Sequence, residues 1–485
     1  MPRKPPKSSL IGKKKKKKME LDRISNLPTG VSHQILSYLP IKEAVRTSVL
    51  STNWRNKWTK LPCLVFDDKH GCITKRVVDH LLFLHRGRIE TFELSIRKHP
   101  GYSHITHGEI DKWIAHLSRY SIKEFILNLW KQWSPYDIFS RLFSYKDLTH
   151  LELYNCLQEV PLTFKGFGML KTLHLRNVTV SQDVLEKLIV CCPRLNRMIL
   201  CGLKGITHVN INSPSIQYLE VRGNFEKVQL ENTFNLVDVS IDFDKGSRKL
   251  LQYLFKLPRL ERLTLEDRFL ECAAGSLPEK LPPCLCLNFL SISIRVNNSK
   301  EILTSMCLLR SSPALQELEI SVRHEDEDNA GEAPYYLDEN ENQKWEFTQL
   351  RRVKVTSFSG VSEDVEMIKF LLLSSPALQE LEISFDQENE KDVNFSWLDD
   401  NQNWAFSKLQ LVKVTGFCGV KAEVDFIRYL ISSSSPMLIE TMILQPASAE
   451  VYWELFKLLP EFKSDSVHVD LKLLDPSNPV QDSDD

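Results

Sequence analysis

The chain lacks most of what would mark it as a catalyst, a membrane protein or a secreted one. No apolar run reaches the ~18 residues of a membrane-spanning helix. The N-terminus lacks the apolar segment of a secretory signal. Sixty-two Lys and Arg stand against 63 Asp and Glu, so no excess of one sign draws the whole chain toward nucleic acid or membrane. The 11 cysteines are odd in number and scattered. The close pairs Cys191-Cys192 and Cys284-x-Cys286 lack the C-x-x-C spacing of a zinc knuckle. This usage predicts a reduced cytosolic or nuclear protein with small buried thiols.

Catalytic signatures are missing as well. There is no phosphate-cradling glycine loop; Gly166-Phe167-Gly168 lacks both the spacing and the lysine. HExxH and GxSxG are absent. His104, His107 and Glu109 could hold a metal, but in a Gly/Ser-rich stretch they read as a polar loop. No cysteine has the local signature of an activated nucleophile. The expectation is a chain without catalysis, cofactor or metal.

What remains is organisation. The 485 residues are 42% hydrophobic, ordinary for a folded protein. Residues 1–20 form a low-complexity tail in which Lys13 to Lys18 repel one another. That tail reads as a nuclear-import signal or as a plain solvated extension. From residue 63 the pattern apolar-x-x-apolar-x-apolar recurs, as in Ile89/Phe92/Leu94, Leu148/Leu151/Leu153, Leu170/Leu173/Leu175 and Leu236/Val239/Ile241. The steps are roughly 20 to 35 residues, near the leucine-rich-repeat period. The spacing predicts a solenoid: each LxL is a short strand with its leucines inside, and neighbours must stack because one repeat cannot bury its own apolar side. Segments such as 183–190 and 365–373 read as return helices. Prolines 193, 214, 258, 313, 376 and 436 stand shortly before several strands, where they can end a helix.

Toward the C-terminus the repeat becomes a duplication. SSPALQELEIS occurs at Ser311 and again at Ser374. WEFTQLRRVKVTSFSGV at Trp345 is echoed by WAFSKLQLVKVTGFCGV at Trp404. Each copy runs strand, F-x-G turn, helix, S-S-P, strand. Two acidic insertions, 324–342 and 386–403, read as solvated loops, or as a lure for a basic partner. The predicted division is a basic tail (1–20), a helical module (21–62), leucine-rich repeats (63–344), duplicated repeats (345–470, second copy about 404–444) and an acidic disordered tail (471–485).

The helical module is unlike the rest. Leu27-Pro28 forces an extended entry. Val31, Ile35, Leu36 and Leu39 then fall at helical spacing on one face, and Pro40 stops the helix. Ile41, Ala44, Val45 and Val49 mark a second helix. Ser51 or Thr52 can cap a third, carrying Trp54 and Trp58. Roughly 40 residues bury little core alone, so the unit needs a neighbour or a partner. By spacing alone it could be a cap for the solenoid.

This stretch resembles an F-box. The matching residues are Leu27-Pro28, Ile35-Leu36, Leu39-Pro40, Ala44, Ser48-Val49-Leu50-Ser51, and Trp54-Arg55 with Trp58. The duplicated C-terminal region resembles the FBD region of plant F-box/leucine-rich-repeat proteins, the second copy being the FBD proper. The resemblance implies an α/β fold: a three-helix F-box, then a curved parallel sheet with return helices. It implies a non-enzymatic substrate-recognition subunit of an SCF-type ubiquitin ligase, bound to a Skp adaptor and through it to cullin and RING subunits. On that reading Leu27, Pro28, Ile35, Leu36, Leu39 and Pro40 make apolar contact with the adaptor. Val49, Trp54 and Trp58 pack the module and its interface. The residue after Pro28 is Thr29, where family members often carry an acid, which puts the first helix cap in doubt.

A target would lie on the concave face. Residues flanking the leucines there include His150, Tyr154, His174, Arg176, Arg197, Tyr218 and Arg222, a mixture suited to protein recognition. The His174, Arg176, Arg197 and Arg222 group could instead take an acidic small molecule. Two other readings stay open: a repeat scaffold outside ubiquitin transfer, and an F-box receptor whose pocket holds a small molecule.

Overall fold

The computed structural model describes Ile24 and residues 27–70, 73–97, 105–130, 133–138, 140–158, 164–243, 247–266, 269–274, 281–324, 346–385, 409–419, 423–424, 426–428, 430, 439–453, 455–457 and 469–475. The Lys-rich tail and the acidic insertions, apart from His324, lie outside the described residues.

Pro28 leads into α1 (Thr29–Ser37), and Pro40 into α2 (Ile41–Arg46). Both prolines stand at the N-cap with extended backbone, where the missing N–H costs nothing. Neither helix has a side-chain cap, and α1 has no acid in its first turn. The third helical segment is tighter than the sequence suggests: residues 52–56 are turns, followed by one 3-10 turn at Lys57–Lys60. Leu61 precedes Pro62 and is extended, so the helix has no room to grow.

Strands follow in chain order: β1 (Cys63–Asp67), β2 (Thr91–Ile96), β3 (Glu124–Leu129), β4 (Tyr136–Asp137), β5 (His150–Tyr154), β6 (Cys156–Gln158) and β7 (Thr172–Arg176). Then come β8 (Thr179–Val180), β9 (Arg197–Cys201), β10 (His208–Asn212), β11 (Tyr218–Arg222), β12 (Lys227–Glu231), β13 (Asp238–Asp242) and β14 (Arg262–Leu265). The series ends with β15 (Phe289–Ile294), β16 (Glu317–Val322), β17 (Arg352–Phe358), β18 (Glu380–Phe385), β19 (Leu411–Phe417), β20 (Thr441–Pro446) and β21 (Asp470–Leu473). Sixteen of them form one parallel sheet, β1-β2-β3-β5-β7-β9-β11 and then β13 to β21 in sequence without β10 and β12. Short ladders β4-β6-β8 and β10-β12 form separate sheets. Return helices include α3 (Lys75–Leu84), α4 (His107–Leu117), α5 (Gln182–Val190), α6 (Arg248–Leu254), α7 (Phe269–Ala274), α8 (Ser299–Arg310) and α9 (Ser362–Ser374).

Two rows of apolar side chains run the length of the sheet. Leu151, Leu173, Met198, Leu219 and Val239 stand in register, as do Leu153, Leu175, Leu200, Val221 and Ile241. All are buried. The turns after β5, β7, β9 and β11 each open on a residue with positive φ. These are Asn155 and Asn177, with φ of 57° and 52°, then Gly202 and Gly223. Their N–H groups donate to the next strand, at Arg176, Cys201, Arg222 and Asp242 respectively. Asn tolerates this conformation because its short side chain bonds locally; Asn155 Nδ2 donates to the Trp130 and Trp133 carbonyls.

β1 completes the motif Leu61-x-x-Leu64-x-Phe66 and pairs with β2, so the sheet opens at Cys63, where the repeats were predicted to begin. β21 pairs with β20, so the sheet runs three residues into the stretch predicted as a disordered tail. The junction is tight. The N–H groups of Arg86 and Gly87 donate to the Thr59 carbonyl, and that of Glu90 to Pro62. His85 Nε2 meets the Leu61 carbonyl at 2.8 Å. A Cβ on Gly87 would lie 2.8 Å from Lys60 Cα.

Of the three residues read as a polar loop, His104 lies outside the described residues, while at His107 and Glu109 that reading gives way to a helix start. Thr106 N–H donates to the Glu109 carboxylate at 3.1 Å, and the Thr106 hydroxyl bonds it too. This is a T-x-x-E capping box opening α4. Glu109 also pairs with Lys75 at 2.8 Å, and the His107 ring packs between Trp133 and Tyr136. Among the described residues no group of three His, Cys, Asp or Glu could hold a metal. No described helix is long and apolar enough to cross a membrane.

Candidate functional site

Two surfaces bear on function, one at each scale of the sequence reading. The first is the helical module. Ser32 and Leu36 are four residues apart on α1 and turn inward; Leu36 is 0% exposed. With Ile41, Ala44, Trp54 and Trp58 it builds the module's core. Trp54 Nε1 donates to the Ile24 carbonyl at 3.2 Å, and Lys57 lies over its ring while donating to Ser32 Oγ. Leu36, Trp54 and Trp58 are therefore internal and offer no contact surface. Leu27 is half-buried against the same core, and Pro40 is half-buried at the α2 start.

The other face of α1 points to solvent. Val31, Ile35 and Leu39 recur every four residues and are exposed, with Tyr38 and Pro28. Val49, predicted to help pack the module, is 87% exposed, because it sits in the 3-10 turn Thr47–Val49 with its neighbour Leu50 also outside. The apolar stripe read on α1 as one face is two faces. A stripe this wide serves a core and a partner at once, and periodicity does not separate them. Of 17 large exposed apolar residues among the described ones, seven fall between Ile24 and Leu50. So dense a cluster on one small unit marks an interaction surface.

The second surface is the face of β5 to β13 opposite the buried apolar rows. Register places the candidate residues in three rows. His150, Thr172, Arg197, Tyr218 and Asp238 form one; Glu152, His174, Ile199, Glu220 and Ser240 the next. Tyr154, Arg176, Cys201, Arg222 and Asp242 form the third. All seven candidates thus share four neighbouring strands, a span of ~15 Å at normal strand spacing.

Acids flank the same leucines, Glu152, Glu220, Asp238 and Asp242 among them, and the flanking positions failed to indicate only Glu266, just past β14. Glu152 lies 3.9 Å from His150 and 3.5 Å from His174. These two histidines hold its carboxyl down at about 2, against the opposing effect of burial. Arg222 meets Glu220 at 2.9 Å, Glu266 at 3.2 Å and Asp242 at 3.8 Å. Burial works against its charge, but the three carboxylates outweigh it and raise its pKa. The Arg197 guanidinium stacks 3.5 Å from the Tyr218 ring centre, and the Tyr218 hydroxyl donates to Glu220 at 2.9 Å. Burial and Glu220 push Tyr218 up to about 12. Burial likewise raises Asp238. The four-cation group is therefore threaded with carboxylates. It forms a mixed-charge face of pre-ordered Arg, His and Tyr side chains, not a basic pocket for an acidic small molecule. The thiol of Cys201 is pushed up to about 11 by burial and Glu220, far from a reactive thiolate.

Comparison with known proteins agrees with this layout. The F-box domain model matches residues 24–66, which takes in β1 except Asp67. A model described as FBD-associated F-box protein At5g56370, LRR repeats, matches residues 110–320. The F-box/FBD/LRR-repeat protein At1g13570 of Arabidopsis thaliana is 33% identical over 390 residues, covering 75% of this chain and 91% of that protein. The putative FBD-associated F-box protein At5g50270 of the same plant is 24% identical over 409 residues, covering 76% and 98%. A helical docking module fused to a leucine-rich solenoid defines a recognition protein of the F-box class. The chain belongs to the F-box/FBD/LRR-repeat family.

Proposed function

We propose that this protein is the substrate-recognition subunit of an SCF-type ubiquitin ligase. The observation that carries the reading is the outward apolar face of the F-box: Pro28, Val31, Ile35, Leu39, Val49 and Leu50 leave water only by meeting a partner. A Skp adaptor is that partner, and it links the chain to cullin and RING subunits. The face of β5 to β13 opposite the buried apolar rows then holds a target protein, with stacked Arg197 and Tyr218 as an anchor of the kind that concentrates binding energy. The chain performs no bond chemistry. It supplies proximity and orientation for ubiquitin activated elsewhere. The tight junction at Thr59, Leu61 and Pro62 supports this, because a module fixed to the sheet transmits its orientation to a bound target.

The test is a quantitative pull-down with a Skp adaptor, comparing the wild type with Leu27→Ala/Pro28→Ala and with Ile35→Asp/Leu39→Asp. Binding by the wild type that is weakened in the first variant and abolished in the second supports the reading. No binding by the intact chain leaves a leucine-rich scaffold with a helical cap.

A further inference from the structure

The sixteen-stranded sheet has two ends, and they are finished differently. At one end α2 packs on β1, and the F-box covers the start of the solenoid. At the other end β21 pairs with β20, and among the described residues no strand pairs with its outer edge. Solenoids need their terminal repeats covered, and an open strand edge is a template for another strand.

The polarity of that edge follows from its bonds. The N–H groups of Asp470 and Leu474 donate to the Glu440 and Leu444 carbonyls of the preceding strand region. A strand residue sends its N–H and C=O to the same side, and the sides alternate. Leu471 and Leu473 therefore present their donors and acceptors outward.

The sequence of the strand is self-complementary. In antiparallel pairing centred on Leu471, Leu471 faces Leu471 and both of its backbone groups are exchanged. Asp470 then faces Lys472 twice, and Val469 faces Leu473 twice. Asp470 and Lys472 are well exposed, with side-chain exposures of 64% and 55%. Val469 and Leu473 are partly buried on the apolar side. Opposite charges on one face and apolar pairs on the other are the arrangement that stabilises an antiparallel ladder. The segment 449–457 that leads out of β20 carries Trp453 and Phe456, both more than half exposed, with rings 6.0 Å apart.

We propose that β21 is a self-association edge, pairing antiparallel with β21 of a second copy of this chain about a two-fold axis midway between the two Leu471 residues. A two-fold contact of this kind closes on itself and leaves no edge to propagate. The chain's own last ten residues are poor occupants: Pro476 and Pro479 lack a donor, and Asp482, Asp484 and Asp485 would oppose Asp470. The F-box lies at the far end of the sheet, so the proposal does not depend on adaptor binding.

The test is sedimentation equilibrium of the purified full-length chain across a concentration series. A monomer–dimer equilibrium is expected. Lys472→Glu sets like charges opposite each other at both symmetric positions and weakens dimerisation roughly ten-fold or more. The swap Asp470→Lys/Lys472→Asp restores it. Leu471→Pro removes an outward N–H without touching the β20 ladder and abolishes it. Near-native melting of each variant shows that the solenoid is intact. A strict monomer at all concentrations overturns the proposal, as does a dimer indifferent to the charge reversal and the proline.

Discussion

Ile35 and Leu36 are adjacent in sequence and opposite in role. Leu36 is wholly buried beside Ala44, while Ile35 faces solvent with Leu39. Leu36→Ala is therefore expected to cost about 2–5 kcal/mol and to loosen the F-box, read by chemical denaturation. Ile35→Asp/Leu39→Asp is expected to stay within about 1 kcal/mol of wild type, since exposed positions change stability little. Glu301 makes a second contrast. It is 0% exposed and ties together Arg295 at 2.8 Å and Arg323 at 2.9 Å. Its carboxylate also accepts the Arg295 N–H and the Asn298 side-chain amide. Glu301→Gln leaves two arginines half-paired in a largely buried site and is expected to destabilise the chain by about 3 kcal/mol, measured in urea. A loss below about 1 kcal/mol would show that the arginines find water or another acid. Neither role was legible in the sequence, because a burial pattern names apolar positions and says nothing of a lone acid at the start of a helix.

Elements were legible where apolar spacing was strict and illegible where a polar residue set the boundary. The LxL rows gave the sheet strands from β2 to β20, and the helices read at 183–190 and 365–373 fall within α5 (Gln182–Val190) and α9 (Ser362–Ser374). β1 was hidden because Leu61-x-x-Leu64-x-Phe66 overlaps the F-box, and the start of α4 because His107 and Glu109 stand in a Gly/Ser-rich stretch that reads as a polar loop. The short ladders β4-β6-β8 and β10-β12 were missed because their few alternating residues sit between repeats. The duplicated units hide a shared device: Ser359 N–H donates to Asp364, and in the second copy Cys418 and Gly419 N–H donate to Glu423, so a carboxylate closes the turn after each strand.

The junction element carries two predictions. Gly87→Val pushes a side chain into the Lys60 backbone and is expected to cost about 1–3 kcal/mol, seen as a lower denaturation midpoint. Burial lowers the pKa of His33, His85 and His116 below the ordinary 6.5, helped in turn by Lys60, His116 and Arg119. The bond from His85 to the Leu61 carbonyl partly opposes this. The unfolded chain then binds more protons than the folded one just below pH 6.5, so stability is full above that value and falls as pH drops. Tryptophan fluorescence of the whole chain, to which Trp54 and Trp58 contribute, should show a lower melting midpoint at about pH 5.5 than at about pH 7.5, with a shallower dependence in His85→Phe. A flat profile would place these rings in water.

At the scale of the whole molecule, one sheet joins three jobs. Its first edge is fixed to the F-box, its middle strands carry the mixed-charge face, and its last edge pairs with no further strand among the described residues. On the mixed face His150 and His174 meet Glu152, Arg222 meets three carboxylates, and Arg197 is stacked on Tyr218, the composition on which the proposed target binding rests. The sequence showed the right residue types and strands but not the interleaving, which depends on register across β5 to β13. The central claim is that the outward face of the F-box docks an adaptor while the solenoid stands independently. Its most direct test is the affinity of the full-length chain for a Skp adaptor, measured for wild type and for Ile35→Asp/Leu39→Asp with melting curves alongside. The account predicts tight binding by the wild type, a loss of at least 100-fold in the double variant (~2.7 kcal/mol), and unchanged melting. Undiminished binding by the double variant, or no binding by the wild type, would contradict it.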